Sequence, residues 1–177
     1  MGLLPIQIYP DPLLKTVCEP VEKVTPIIQK LLDEMAETMY AAPGIGLAAP
    51  QVGISKRVIV LDVSWKGDKG PRVLYQLVNP VIVERSGSIE WEEGCLSIPE
   101  FSQVMKRSQK VKVEALNRDG KKKIIEGEDI LAVCLQHEID HLDGKLIIDK
   151  ASRLKRKLYL DKIKKHQHTQ SHPEVVF

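Results

Sequence analysis

Two histidines four residues apart are the strongest chemical signal in this sequence. They lie in the segment His137-Glu138-Ile139-Asp140-His141, which has the pattern H-E-x-x-H. Residues i and i+4 of a helix share one face at ~5–6 Å, so both imidazoles can reach the same metal ion. Glu138 lies beside them and can point towards a water on that metal. A catalytic metal site usually has about three protein ligands, so a further ligand must come from elsewhere.

The third ligand distinguishes the classes of H-E-x-x-H enzymes. An extended motif would place a histidine at position 147, which is Ile147 here, and the only glutamate beyond the motif is Glu174 near the C-terminus. A cysteine is the remaining good candidate. Cys134 lies one helical turn before His137, where three ligands from one helix would crowd the metal from one side. Cys95 follows a glycine that permits close backbone approach, and it can bring a thiolate from another direction.

A segment of small residues provides a second, weaker signal. Residues 44–51 have the sequence Gly-Ile-Gly-Leu-Ala-Ala-Pro-Gln. The glycines permit a substrate backbone to approach closely, and Gln51 offers a side-chain amide donor. The segment lacks the Lys-Ser/Thr pair of a phosphate-binding loop. Taken alone, it is equally consistent with a plain glycine-rich turn.

In combination, these segments resemble the motifs of the peptide deformylase family. The matching stretches are Gly44–Gln51, Glu93–Ser97 and Gln136–Leu142. Their order and spacing also fit the family, and the resemblance covers the chain to about residue 165. It implies an enzyme that removes the formyl group from the N-terminal formyl-methionine of new polypeptides and releases formate.

The resemblance also implies roles for individual residues. Glu138 would be the general base and then the general acid, with metal-bound hydroxide as the nucleophile. The Gln51 amide and the Leu96 backbone N–H would stabilise the charge that develops on the carbonyl oxygen. One divalent metal ion per chain is implied, with Fe²⁺ expected in the cell and Zn²⁺ or Ni²⁺ able to replace it. Its implied ligands are Cys95, His137 and His141.

The predicted substrate contacts rest mainly on the same resemblance. A glycine at position 46 beside the metal leaves room for a formyl group and excludes a bulkier acyl group. The methionine side chain requires an apolar slot, for which the helix before His137 is a candidate. Some relatives carry an arginine shortly after the cysteine motif, where this chain has Phe101-Ser102. The predicted substrate-binding residues are Gly44, Ile45, Gly46, Trp91, Gly94, Ile130, Val133 and Cys134.

The elements that carry these motifs predict an α+β fold. Thr25-Pro26 is a helix start, and apolar residues follow it at helical spacing. Runs of β-branched residues over 57–63, 73–83, 111–116 and 122–125 predict strands, with the last two joined in a hairpin. Helices are predicted over Ile130–Leu142 and 152–165. The resemblance implies antiparallel or mixed sheets packed around a central H-E-x-x-H helix, with a C-terminal helix.

Length and composition restrict the class of protein. The 177 residues are 43% hydrophobic and 28% charged, which predicts one catalytic domain over 1–165 and a C-terminal tail over 166–177. The longest apolar run, Ile130–Leu135, is far shorter than the ~20 residues of a membrane span, so no membrane partner is expected. Three cysteines without a secretory signal indicate a cytoplasmic protein with reduced thiols.

Positive charge is concentrated near the C-terminus. Between residues 150 and 168 lie eight of the 26 Lys and Arg residues but one of the 24 acidic residues. The rest of the chain is mildly acidic, so specific DNA binding is not expected. The basic helix is a candidate for contact with the ribosome, whose RNA phosphates attract Lys and Arg.

Two alternatives to a deformylase remain open at this point. One is an H-E-x-x-H metallo-endopeptidase, which would cleave internal bonds of unformylated peptides. The other is a binding module with a basic tail and a structural metal. A separate hypothesis concerns the polar segment 64–72, which contains Trp65 and Arg72 and is predicted to be a lid over bound peptide.

Overall fold

This computed structural model describes residues 2–65 and 71–170 of the chain, which contain three α-helices and seven strands. The helices are α1 (Pro26–Ala41), α2 (Ile130–Leu142) and α3 (Arg153–Gln170). The strands are β1 (Gly46–Ala48), β2 (Val58–Leu61), β3 (Tyr75–Ser86), β4 (Ile89–Cys95), β5 (Ile98–Arg107), β6 (Lys110–Leu116) and β7 (Lys122–Glu128). Short 3-10 helices span Pro12–Lys15, Ala49–Val52 and Ile147–Lys150.

The strands form two antiparallel sheets. The larger has five strands in the order β1-β2-β3-β6-β7, and the smaller is the hairpin of β4 and β5. The predicted hairpin of β6 and β7 is present, with Val113 opposite Ile125. These sheets and the three helices confirm the predicted α+β fold.

The central helix α2 packs against both sheets. It contacts β1, β2, β3 and β7 of the larger sheet and β5 of the hairpin. Its apolar side chains Ala132, Leu135 and Leu142 have no solvent exposure, and burying a leucine side chain contributes roughly 1.5–3 kcal/mol. Burying a polar group costs free energy unless the group has a hydrogen-bond partner. The buried polar residues of α2 therefore indicate the region of the molecule where we expect a functional site.

The observed elements differ from the predicted ones in three respects. Helix α3 continues to Gln170, five residues beyond the predicted end, and residues 171–177 of the predicted tail lie outside the described part of the chain. Strand β1 occupies part of the glycine-rich segment. Strands β4 and β5 have no strong alternating apolar pattern and are not predicted. No helix within the described residues is long and apolar enough to cross a membrane.

Candidate metal centre and active site

Helix α2 and the end of β4 bring three metal-binding side chains together. The Nε2 atoms of His137 and His141 lie 3.2 Å apart, and the Sγ atom of Cys95 lies 3.4 Å from the His141 nitrogen. Two nitrogens and a sulfur bound to one tetrahedral ion at ~2.0–2.3 Å would lie ~3.3–3.6 Å from one another. The spacing of these donors therefore fits a single transition-metal ion.

The same three residues form the only such donor group found in the described part of the chain. Cys134, the other cysteine considered, is not part of it. Its thiol is directed at the Ile45 carbonyl oxygen, 3.6 Å away, and burial raises the pKa of this thiol well above its ordinary value. The thiolate form that binds metals is thus disfavoured at Cys134. Three protein ligands are typical of catalytic sites, whereas structural sites usually have four.

A buried carboxylate fixes the orientation of the His137 ring. The Nδ1 atom of His137 lies 2.8 Å from Oε2 of Glu93, whose side chain is 4% exposed. Burial alone would raise the pKa of Glu93, but hydrogen bonds from Arg107 and His137 outweigh it and hold the pKa below its ordinary value. An ionised Glu93 accepts a hydrogen bond from the Nδ1–H group of His137, which leaves Nε2 available for a metal.

Arg107 connects this carboxylate to the H-E-x-x-H helix. Its Nε and Nη2 atoms donate to the two oxygens of Glu93 over 2.7 and 2.9 Å, and Nη1 donates to Oδ2 of Asp140 over 2.6 Å. None of these three residues is among the predicted site residues. Glu93 belongs to one of the matching motifs, whereas no local pattern pairs Arg107 with positions 14 and 33 residues away.

His141 is the more deeply buried of the two histidines. Burial, with a further contribution from the charge of His137, lowers its pKa well below the ordinary value. The neutral imidazole, which is the form that binds metals, is therefore favoured. Its Nδ1 atom is buried and has no hydrogen-bond partner among the residues that the structure describes.

Glu138 presents a buried carboxylate to the same site. Its side chain lines a cleft beside the three donors, and Oε2 has no hydrogen-bond partner within the described ranges. Burial, only partly offset by the charge of His137, raises the pKa of Glu138 to about 7. A carboxylate with that pKa can both accept and return a proton near neutral pH.

Gly46 on β1 passes very close to this carboxylate. A Cβ atom at position 46 would collide with the Glu138 carboxylate and would lie 3.0 Å from the Cys134 sulfur. The absence of a side chain at this position therefore allows the Glu138 carboxylate to lie against β1.

Gln51 and Leu96 lie next to Cys95. The Oε1 atom of Gln51 accepts a hydrogen bond from the Ala48 backbone N–H over 2.9 Å, which orients the amide. Its Nε2 atom then faces Ser97 Oγ at 3.2 Å and Cys95 Sγ at 3.5 Å. Leu96 follows Cys95 directly, in the turn between β4 and β5. Both predicted donors thus lie beside Cys95, at the turn between β4 and β5.

The cleft beside these residues has a volume of about 1010 Å³. This is near the upper end of the ~300–1,000 Å³ typical of ligand pockets, so it can hold more than a formyl-methionine. Residues Ile98–Ser102 also line it and are not among the predicted substrate contacts. Every predicted substrate-binding residue lies in its wall, namely Gly44, Ile45, Gly46, Trp91, Gly94, Ile130, Val133 and Cys134.

Trp65 is a further residue of the cleft wall. Its ring lies 5.6 Å from the ring of Tyr40, and the Arg72 guanidinium lies 4.4 Å from the same tyrosine ring. The Tyr40 hydroxyl donates to Asp62 over 2.8 Å. The two ends of the predicted lid are therefore held on Tyr40. Positions 66–70 lie outside the described residues, so the lid remains a prediction.

Comparisons with known proteins agree on one family. A sequence model described as polypeptide deformylase matches residues 3–157. A peptide deformylase of Alkalilimnicola ehrlichii is 48% identical over 165 residues, which cover 93% of this chain and 91% of the relative. One from Hydrogenovibrio crunogenus is 48% identical over 171 residues, which cover 97% and 99%. A crystal structure of peptide deformylase from Ehrlichia chaffeensis superposes with a TM-score of 0.89 at 38% identity, covering 97% of this chain and 100% of that one.

Proposed function

We propose a mechanism by which this chain, which belongs to the polypeptide deformylase family, removes formyl groups from the N-termini of peptides. The substrates proposed are N-formyl-methionyl nascent polypeptides. The observation that carries the proposal is the convergence of Cys95, His137 and His141 next to the buried carboxylate of Glu138. The reaction is an amide hydrolysis, in which water adds to the formyl carbon, the C–N bond breaks, and formate and a free amine are released.

The thiolate of Cys95 and the imidazoles of His137 and His141 would hold one divalent metal ion per chain. When bound, the metal supplies Lewis acidity, which polarises the formyl oxygen and lowers the pKa of water. We propose that Fe²⁺ is the metal in the cell. Zn²⁺ or Ni²⁺ can replace it, because one thiolate and two imidazoles suit several transition metals. Metal analysis of the purified chain, with formate release measured for the Fe-, Ni- and Zn-loaded forms, tests this choice.

Glu138 is the proton carrier of this mechanism. Its carboxylate takes a proton from the attacking water and passes it to the leaving nitrogen, and a pKa of about 7 suits both steps. Glu138→Gln keeps the size of the side chain and removes the base. We expect this variant to retain one metal ion per chain and to lose ~10²–10⁴-fold in the rate of formate release. Loss of the metal would instead make Glu138 a ligand.

The remaining residues orient the substrate. The Gln51 amide and the Leu96 backbone N–H donate to the formyl oxygen, where negative charge develops in the transition state. Gly46 restricts the acyl group to formyl because a larger group would meet Glu138. The methionine side chain occupies an apolar slot formed by Ile45, Trp91, Ile130, Val133 and Cys134.

Formate release from a formyl-methionyl peptide separates this proposal from the two alternatives. A metallo-endopeptidase would cleave internal bonds of unformylated peptides, and a binding module with a structural metal would act on neither substrate. The donor group of three favours a catalytic site over a closed structural one. Cleavage of unformylated peptides without formate release would overturn the proposal.

The basic helix α3 supports a second proposal, that the chain contacts the ribosome. Arg153, Lys157 and Lys164 are exposed on this helix and can meet RNA phosphates. Reversing these three charges should weaken salt-dependent cosedimentation with ribosomes and should spare hydrolysis of a short formyl peptide. Truncation before α3 is a poor test because it removes Tyr159, which is buried. Unchanged sedimentation would contradict this proposal, which places the chain in the cytoplasm.

A further inference from the structure

Helix α3 contacts one side of the substrate cleft in a way that the proposed mechanism does not use. On that side the cleft is lined by five consecutive residues, Ile98–Ser102, which we call the rim. We propose that α3 positions the rim and thereby sets the affinity for substrate residues that follow the formyl-methionine. This inference rests on the proposed deformylase function.

The hairpin pairing does not hold the middle of the rim. Pairing between β4 and β5 passes from Gly94↔Ser102 to Cys95↔Ile98 with a shift in register. Residues 99–101 therefore have no partner on β4. Within this stretch Glu100 has a φ of 56°, in the left-handed region that a residue with a side chain adopts only where its surroundings hold it there. The rim thus requires contacts from outside the hairpin.

Helix α3 supplies hydrogen bonds to the rim backbone. The Tyr159 hydroxyl donates to the Pro99 carbonyl oxygen over 2.8 Å. At the other end of the rim, the Lys155 ammonium donates to the Ser102 carbonyl oxygen over 2.5 Å. Helix α3 therefore holds the unpaired stretch at its first residue, Pro99, and at Ser102, the paired residue that follows it.

Side chains of the rim also contact α3. The Tyr159 ring meets the Phe101 ring edge-on, with 5.1 Å between centroids, and the Lys155 ammonium lies 4.7 Å from the centroid of Phe101. The Lys162 ammonium lies 2.8 Å from Oε2 of Glu100. Each residue from position 99 to position 102 therefore touches the helix. This continuous contact falls on the segment that lines the cleft.

The position of the rim relative to the chemistry predicts which kinetic constant will change. The residues proposed to contact the formyl group and the methionine lie outside the rim, and the largest group of them, which includes Glu138, is on α2. A minimal substrate therefore reports on the chemistry, whereas a longer peptide also reports on the rim. Cys95 packs beside the apolar cluster that contains Tyr159, so the metal content of each variant must be measured.

The test compares formyl-methionine amide with a formyl-methionyl tetrapeptide. Tyr159→Phe removes the hydroxyl donor, Lys155→Met removes the ammonium, and Lys155→Arg retains a donor. Lys157→Met is the matched control, because Lys157 is exposed on the same helix and the described residues give it no hydrogen bond or ion pair. Tyr159→Phe loses one hydrogen bond, and Lys155→Met loses its bonds to the Ser102 carbonyl oxygen and to Gln103 Oε1. We therefore expect KM for the tetrapeptide to rise ~3–10-fold in these two variants. With formyl-methionine amide, kcat and KM should change less than ~2-fold in the same variants.

The outcomes separate this inference from the proposed function. If the wild-type chain releases no formate from either substrate, the proposed function fails. If the wild-type chain is active but the variants change both substrates equally, or change neither, the positioning role is refuted. If Lys155→Arg retains a low KM for the tetrapeptide, and kcat and KM are unaltered in Lys157→Met, the positioning role of α3 is supported. The Lys155 variants keep the test valid if a Tyr159 variant does not fold, because the Lys155 side chain is exposed.

Discussion

Replacing Arg107 with methionine removes the centre of the charge network beside the proposed metal ligands. The side chains of Arg107 and Glu93 are 8% and 4% exposed, and two charge-assisted hydrogen bonds of 2.7 and 2.9 Å join them. A third bond of 2.6 Å connects Arg107 to Asp140. Methionine retains much of the apolar stem but leaves the Glu93 carboxylate buried with His137 as its remaining partner.

The expected magnitude follows from this burial. Removing one partner of a buried ion pair costs ~3–5 kcal/mol, because the other charge stays in a medium of low dielectric constant. For a protein of this size each kcal/mol corresponds to ~2–4 °C, so the melting temperature should fall by ~6–20 °C. Metal affinity should also fall ~10–100-fold, since Glu93 no longer has a fixed position from which to orient His137.

Arg118→Met is the matched control. Arg118 forms two similar hydrogen bonds with Asp33, of 3.1 and 2.6 Å, but these side chains are 41% and 29% exposed. A solvent-exposed pair contributes ~0.2–1 kcal/mol, so this variant should lose no more than that. Urea unfolding followed by far-UV circular dichroism gives both free energies, and chelator competition gives the metal affinity. If Arg107→Met loses no more stability than Arg118→Met, the argument from burial is wrong.

Four further variants, which make three predictions, test other parts of the site and its surroundings. Cys95→Ser should lose metal and activity while Cys134→Ser keeps the metal, as measured by metal analysis; the reverse result would exchange their roles. Gly46→Ala should retain the metal but lose ~10²-fold in kcat, because Glu138 must move. Burial raises the pKa of Asp62, but hydrogen bonds from Ser64 and Tyr40 outweigh it and lower the pKa. Asp62→Asn should therefore destabilise most above ~pH 4, and urea unfolding should show the difference from wild type shrinking in more acid solution.

Local sequence patterns were sufficient to predict the three α-helices and four of the five strands of the larger sheet, all except β1. Helix α1 begins at Pro26 as predicted, because its Thr-Pro start and its apolar spacing are local properties. Helix α2 matches its predicted bounds, Ile130–Leu142. The hairpin of β6 and β7 follows from a turn signal between two β-branched runs. In each case neighbouring residues contain the information that determines the element.

The β4–β5 hairpin was not predictable in the same way. Strand β4 contains Glu-Trp-Glu-Glu-Gly, which has no apolar alternation. Within it, Glu93 is buried with Arg107 on β5 and His137 on α2 as its hydrogen-bond partners. Whether a glutamate in such a run is exposed or buried therefore depends on a distant residue. The register shift before Cys95 also depends on tertiary contacts, since α3 holds the unpaired residues of β5.

The same dependence explains why H-E-x-x-H alone left the third ligand undecided between two cysteines. The motif places two imidazoles on α2, but the thiol reaches them only if the β4–β5 hairpin docks on that helix. Arg107 makes this connection through Asp140, a position that the motif leaves free. The Arg107 guanidinium binds both Glu93, which orients His137, and Asp140 on α2, the helix that contains His137. The orientation of this ligand and the docking of the hairpin are therefore not independent. Metal affinity and the stability of the fold should therefore respond together to changes in this network.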